Sequence, residues 1–157
     1  NSLKYFWTQR TPEQTAVDVA RVLRHYLSSW DKTDVLLIGY SFGADVLPFV
    51  VNRLPADLRA RVATISLAGL GKDATWEVHV ANWLPGFASV GSPIAPEIAA
   101  LATPMLCLYG EGEKDSLCPT FTGSHVRAEM VGTGHHLGGE YTTIADRILQ
   151  FTATAAR

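Results

Sequence analysis

The hydrophobic positions of the chain follow two kinds of pattern. Over residues 12–30 apolar side chains recur every three or four positions, among them Val17, Leu23, Tyr26 and Trp30, which predicts a helix with one buried face. Residues 11–14 (TPEQ) supply its N-cap, first-turn proline and capping-box glutamine. The run at 34–39 is apolar on both faces, as in a buried parallel strand.

The remaining elements continue this alternation of strand and helix. Further strands are predicted at residues 62–68, 104–109 and 125–131, and further helices at 41–52, 93–101 and 141–153. Such alternation predicts one α/β domain over residues 1–157, with a mostly parallel sheet and helices on both faces.

Residues 69–93 form the least regular stretch. A long irregular connection after a strand is where α/β enzymes often place a lid or substrate wall, and Trp83 and Phe87 would line it. For Trp76 we favour a place in a local hydrophobic cluster instead.

Composition and charge exclude some partners. The 157 residues are 47% hydrophobic and 18% charged, with a net charge of −2, which is ordinary for an α/β protein. Because there is no basic stripe, we expect no nucleic-acid partner. The two cysteines, Cys107 and Cys118, are equally compatible by spacing with free thiols and with a disulfide.

The strongest chemical signal is the G-x-S-x-G motif at residues 39–43, which lies between a predicted strand and a predicted helix. In that context the sharp turn exposes Ser41 as a nucleophile, and both Gly39 and Gly43 are expected to be required because a Cβ would clash. The backbone N–H of Phe42 is the expected first donor of an oxyanion hole.

A serine nucleophile needs a base and an acid, and they follow in the chain order typical of α/β-hydrolases. After the third strand we predict Asp115 as the acid, since a proline follows it by four residues, with Glu113 as the alternative. After the fourth strand the G-x-G-H presentation favours His135 as the base, with His136 as the alternative. All three groups follow the carboxyl ends of strands, where ligands bind in open α/β sheets.

Two rival motifs are weaker. Residues 69–74 (GLGKDA) match a dinucleotide-binding fingerprint, but the residues that follow do not read as an opening helix. His135 and His136 with Glu140 lack metal-ligand spacing. The remaining histidines, His25, His79 and His125, are expected to be structural or exposed. We therefore expect neither a cofactor nor a metal.

Longer stretches of the chain resemble the bacterial virulence protein VirJ/AcvB family. The residues that carry the resemblance are 2–7 (SLKYFW), 10–14 (RTPEQ), 39–49 (GYSFGADVLPF), 52–55 (NRLP), 107–110 (CLYG), 115–119 (DSxCP) and 134–136 (GHH). The resemblance implies an α/β-hydrolase domain in the periplasm, linked to virulence and type IV secretion. It also implies hydrolysis of an ester such as aminoacylated phosphatidylglycerol by Ser41, Asp115 and His135.

Further expectations rest on this resemblance. A periplasmic location favours a Cys107–Cys118 disulfide. The expected partners are a lipid or small ester substrate, the membrane surface and secretion-system proteins. The alternative function is a non-catalytic periplasmic binding protein with a vestigial triad.

The resemblance also implies that strands before residue 34 are lacking. We therefore expect a C-terminal portion of a hydrolase domain, with the first strand as an apolar edge and weak activity of these 157 residues alone.

Overall fold

The computed structural model describes residues 2–76, 91–123 and 125–155. Sequence expectations for His79, Trp83 and Phe87 lie outside the described residues. The elements in chain order are α1 (Ser2–Tyr5), α2 (Pro12–Ser29), β1 (Val35–Tyr40), α3 (Phe42–Arg53), α4 (Ala56–Arg59), β2 (Val62–Ala68), β3 (Asp73–Ala74), β4 (Ser92–Pro93), α5 (Ala95–Ala99), β5 (Met105–Glu111), β6 (Val126–Thr133) and α6 (Tyr141–Ala155). Two short 3₁₀ helices, Cys118–Thr120 and Leu137–Gly139, follow β5 and β6.

Four strands form one parallel sheet in the order β1-β2-β5-β6. Their register aligns Gly39 with Leu67, Leu67 with Cys107, and Cys107 with Ala128 across the sheet. The carboxyl ends of β1, β5 and β6 therefore lie on the same side, and each is followed by a segment that carries a predicted site residue. The predicted parallel α/β sheet is confirmed.

Helices cover both faces of this sheet. Buried residues of α2, α3 and α5 pack on one face, whereas Ile148 of α6 packs on the other, against Leu106 and Leu108. Trp76 belongs to the first of these cores, where its ring meets Phe49 edge-on at 5.5 Å. The interpretation of Trp76 as a packing residue is confirmed, although it lies in the main core rather than in a local one.

Helix α2 begins as the sequence predicts. The Thr11 hydroxyl accepts a hydrogen bond from the Gln14 N–H, and the Gln14 side chain accepts one from the Thr11 N–H. Its buried stripe is Thr15, Ala16, Ala20, Leu23 and Leu27. The predicted buried positions Val17, Tyr26 and Trp30 are exposed, because the stripe that faces α3 is narrower than the apolar pattern.

Strand β1 lies at one edge of the sheet, as expected. Ile38 and Tyr40 are exposed on it. Tyr26 of α2 and Trp30, which follows this helix, line an open groove beside residues 35–37. In the described part of the chain, no helix combines the length and the hydropathy needed to cross a bilayer.

Cys107 and Cys118 form a disulfide, with a Cα–Cα distance of 5.4 Å, and both are fully buried. Cys107 lies within β5, and Cys118 begins the 3₁₀ helix after the loop that follows this strand. The bridge therefore holds both ends of the loop that contains Glu113 and Asp115.

We expect the double variant Cys107→Ala/Cys118→Ala to lower the free energy of unfolding by about 2–3 kcal/mol, since the bridge closes a short loop. Denaturant unfolding of both proteins measures this difference. Mass spectrometry supplies the control: the unreduced chain should take up no alkylating reagent, and the reduced chain should take up two equivalents. Two reactive thiols without reductant would contradict the bridge.

Candidate active site

Ser41 lies in the turn between β1 and α3 in a strained backbone conformation. Its φ of 52° and ψ of −123° fall in a region that side-chain-bearing residues rarely occupy. The Ser41 N–H donates to the Ala68 carbonyl at 2.8 Å, and the Ser41 carbonyl accepts from the N–H of Ala44 at 2.7 Å. Neighbouring structure thus holds the serine in a turn of the nucleophile-elbow type at the carboxyl end of β1.

The two glycines of the motif are not equivalent. A Cβ at Gly39 would lie 2.6 Å from the Gly43 carbonyl oxygen and 2.7 Å from the Ala44 Cα, so glycine is required there. A Cβ at Gly43 would have no non-neighbouring atom within 4 Å outside its own helix backbone. The prediction that both positions exclude a Cβ is therefore wrong for Gly43, which only begins the helix.

His135 is hydrogen-bonded to the serine. Its Nε2 lies 2.7 Å from the Ser41 Oγ, although 94 residues separate the two in sequence. The chain turns sharply at the end of β6 and in the loop after it, where Gly132 and Gly134 both have positive φ. A Cβ at Gly110 would lie within 3 Å of the Gly134 backbone, so the ends of β5 and β6 approach closely enough to bring the histidine to the serine.

Glu113 occupies the position of the acid. Its Oε1 lies 2.7 Å from the His135 Nδ1, and its Oε2 accepts from the Gly110 N–H at 3.1 Å. The Glu113 side chain is only 8% exposed. Because a carboxylate only accepts, His135 carries its proton on Nδ1, and its Nε2 is free to accept the Ser41 proton.

The preferred placement of Asp115 beside His135 is wrong. The Asp115 side chain is 97% exposed, and its Oδ1 lies 3.6 Å from the Lys72 Nζ. A turn from Gly110 to Glu113, closed by the Glu113 N–H and the Gly110 carbonyl at 3.2 Å, ends with Glu113 facing the histidine. Asp115 lies two residues beyond the end of this turn and does not reach His135. The sequence signal for this turn is Gly112, which has a φ of +77°.

His136 does not bind the serine but touches the neighbouring residue of the elbow. The Tyr40 hydroxyl lies 2.7 Å from the His136 Nδ1, and the Tyr40 ring stacks against His135 with ring centres 6.2 Å apart. Burial, with smaller effects of Tyr141 and Glu113, raises the pKa of Tyr40. The structure thus places His135 rather than His136 on the serine.

The other histidines lie away from this arrangement. His25 is exposed and contacts Tyr26, and the His125 Nε2 lies 3.4 Å from the Ile98 carbonyl. Both fit the structural or exposed places predicted for them.

Phe42 is the first residue of α3, so its N–H precedes the first hydrogen bond within the helix. In a nucleophile elbow, the N–H of the residue after the serine is one donor of the oxyanion hole. Its role in stabilising an oxyanion stays a prediction.

The G-x-G-x-x-A stretch does not open a helix. Residues Asp73–Ala74 form β3, which pairs with β4. A Cβ at Gly69 would lie 3.1 Å from the His135 Cε1, and the Gly71 N–H donates to the Asp45 Oδ1 at 2.8 Å. The two glycines therefore pack against the site, and this packing accounts for glycine at both positions.

Asp45 is a residue of this site that the sequence did not reveal as such. Burial raises the pKa of its carboxyl to about 6, against the opposing hydrogen bond from Gly71. It lines an open cleft of about 340 Å³ together with Glu113 and His135. Its spacing of four from Ser41, one helical turn, is the signal that could have found it.

The described geometry contains the side chains that acyl transfer requires. A hydroxyl, an imidazole and a carboxylate lie in sequence at hydrogen-bonding distance, with a helix N-terminus beside the hydroxyl. Such a set can remove the hydroxyl proton as the oxygen attacks a carbonyl carbon.

Solved structures with the same fold include an esterase domain and a thioesterase. NosK from Streptomyces actuosus is 19% identical with a TM-score of 0.62, and the match covers 94% of this chain and 80% of NosK. The esterase domain of a Rhodothermus marinus protein is 17% identical with a TM-score of 0.59, covering 89% and 67%. YbtT, a type II thioesterase of the yersiniabactin pathway, is 17% identical with a TM-score of 0.64, covering 100% and 80%.

Sequence comparison points to one family. No curated protein sequence matches the chain significantly. The model of the family described as bacterial virulence protein (VirJ) matches residues 1–156. Because this match spans nearly the whole chain, the chain belongs to the bacterial virulence protein (VirJ) family, and its fold is that of the α/β-hydrolases.

Proposed function

We propose that the protein is a serine hydrolase that cleaves carboxylic esters. The observation that carries this proposal is the pair of 2.7 Å contacts from Ser41 to His135 and from His135 to Glu113. The strained backbone of Ser41 supports it further, because such strain costs on the order of 1–3 kcal/mol and is typical of functional positions.

The proposed reaction has two steps. In the first, the Ser41 Oγ attacks the acyl carbonyl carbon while the His135 Nε2 takes the hydroxyl proton. The tetrahedral oxyanion accepts a hydrogen bond from the Phe42 N–H, and its collapse breaks the ester bond as His135 returns the proton to the leaving alcohol. In the second, water attacks the acyl-serine with His135 as the base, which releases the acid and restores Ser41. Throughout, Glu113 holds the His135 Nδ1–H and stabilises the imidazolium.

The substrate we propose is an aminoacyl ester of a phosphatidylglycerol-type lipid, in the setting of virulence and type IV secretion. The support for this substrate and for contact with membranes and secretion-system proteins is the family resemblance. We propose a periplasmic location on the same basis, and the Cys107–Cys118 bridge supports it because disulfides persist in oxidising compartments.

A fluorophosphonate probe tests the serine mechanism. We expect covalent labelling of the wild type and its loss in Ser41→Ala, because the probe reacts with an activated serine oxygen. Ser92→Ala, which removes a hydroxyl from β4, is the matched control and should label like the wild type.

The alternative of a binding protein with a vestigial triad predicts the opposite result. Absence of labelling in the folded wild type, or labelling that survives Ser41→Ala, would reject the hydrolase. If the protein releases no free amino acid from vesicles that contain aminoacylated phosphatidylglycerol, while it still labels at Ser41, only the proposed substrate is rejected.

A further inference from the structure

Asp45 is a largely buried carboxyl outside the Ser41–His135–Glu113 set. It lies one helical turn after Ser41 on α3, and its Oδ1 accepts the Gly71 N–H at 2.8 Å. It lines the same open cleft as His135 and Glu113. A carboxyl in such a place needs an explanation, because burial of a charge costs the fold stability.

The loop that Asp45 holds contacts each segment of the site. The Gly69 N–H donates to the Leu108 carbonyl of β5 at 2.9 Å. The Leu70 carbonyl accepts from the N–H of Leu117, in the segment that follows Glu113, at 3.1 Å. Gly69 also packs against the His135 ring. The hydrogen bond from the Gly71 N–H to Asp45 connects this loop to α3, the helix that follows Ser41.

The charge of Asp45 acts on the same histidine. Its carboxyl interacts electrostatically with His135, which favours its ionised form, and with Glu113, which disfavours it. The other charged groups around the cleft are Lys114 and Asp115, and Lys72 pairs with Asp115. A negative charge here favours the imidazolium that forms when His135 takes the serine proton.

The pH dependence of this charge has a definite sign. Burial raises the pKa of Asp45 from 3.8 to about 6. The stability associated with the protonated Asp45 carboxyl is therefore fully present below pH 3.8 and is lost as the pH rises through about 6. At neutral pH the ionised carboxylate therefore destabilises the fold. Residues retained at a cost in stability are often functional.

We propose that Asp45 is a positioning residue for ester hydrolysis, which fixes the 69–71 loop against His135 and adds a second negative charge beside its ring. This inference rests on the proposed function. Glu113 orients the His135 imidazole through a direct hydrogen bond. Asp45 acts on the same imidazole through the position of the 69–71 loop and through the electrostatic effect of its charge.

The test compares wild type, Asp45→Asn and Asp45→Glu in the full-length protein, with Asp115→Asn as the matched control. The readout is the rate of Ser41 labelling by the fluorophosphonate probe across pH. At pH 8 we expect Asp45→Asn to label about tenfold more slowly. The ratio of the wild-type rate to the Asp45→Asn rate should fall towards one below about pH 5. At that pH the Asp45 carboxyl of the wild type is protonated, so both proteins lack the negative charge. Asp45→Glu should keep the wild-type pH dependence, and Asp115→Asn should match the wild type throughout.

A second measurement does not depend on hydrolysis. The imidazole NMR signals of His135 should differ between wild type and Asp45→Asn above pH 7, and this difference should shrink below pH 5. Thermal unfolding at pH 8 should show Asp45→Asn to be folded and more stable than the wild type. If no protein labels, the proposed function fails and the ring signals alone decide the role of Asp45. A rate ratio that is constant with pH, or ring signals whose difference is constant with pH, would overturn the proposal.

Discussion

Replacing Glu113 with glutamine is expected to lower kcat for ester hydrolysis by about 10³- to 10⁴-fold, the range typical when the acid of a triad becomes an amide. Both Glu113 oxygens are occupied as acceptors, one by the His135 Nδ1–H and one by the Gly110 N–H. Glutamine offers a single acceptor for these two donors. Its amide nitrogen would either face the Gly110 N–H or favour the tautomer of His135 that cannot accept the Ser41 proton.

The measurement is the hydrolysis of a short p-nitrophenyl ester by the full-length protein, together with the rate of fluorophosphonate labelling. Thermal unfolding should show a loss of about 1 kcal/mol, as expected for one weakened hydrogen bond. A folded Glu113→Gln variant with wild-type kcat would show that the carboxylate is not the acid.

Asp115→Asn is the matched control for this substitution. It is the same change of carboxylate to amide, only two residues away, but on a side chain that is 97% exposed. We expect its kcat to lie within about twofold of the wild type, since an exposed ion pair contributes little. A large loss in Asp115→Asn with none in Glu113→Gln would restore the original sequence interpretation.

The sheet and the elbow could be predicted from sequence because both are encoded locally. Residues 34–39 are apolar on both faces, which specifies a buried strand. The G-x-S-x-G motif that overlaps its end specifies a sharp turn and a helix, and neither pattern depends on distant contacts. The observed β1 at Val35–Tyr40 and Ser41 at a φ of 52° follow from that local pattern.

The acid could not be chosen reliably because its place depends on loop geometry. Glu113 and Asp115 both follow β5, and only the course of the loop decides which one reaches His135. The spacing to Pro119 favoured Asp115, whereas the turn closed at Gly110 brings Glu113 inward. Asp45 was missed for a related reason: on sequence alone it is a polar residue in a helix, and only the packing of the 69–71 loop buries it.

The exposed flank of α2 marks another limit of sequence patterns. Tyr26 and Trp30 continue the apolar period of the helix, yet they line the open groove beside β1 rather than the core. A periodic pattern identifies the apolar side of a helix, but the width of the buried stripe depends on the neighbouring element.

Gly39→Ala is expected to destabilise the protein by more than about 3 kcal/mol, whereas Gly43→Ala should stay within about 1 kcal/mol of the wild type. The new Cβ at Gly39 would lie between 2.6 and 2.8 Å from the Gly43 carbonyl oxygen and from the Cα and N of Ala44. All three are backbone atoms of the turn that holds Ser41, so the clash cannot be relieved by a side-chain rotation.

The same substitution at Gly43 tests whether the effect comes from the clash or from the motif itself. Its Cβ would meet no non-neighbouring atom within 4 Å outside its own helix backbone, and alanine is the better helix former. Denaturant unfolding and fluorophosphonate labelling of both variants separate the two explanations. Equal losses would indicate that the motif is required as a unit. A stable, fully labelled Gly43→Ala beside an unfolded Gly39→Ala would locate the requirement in the crossing of β1 and α3, because only the first glycine lies where that crossing leaves no room for a side chain.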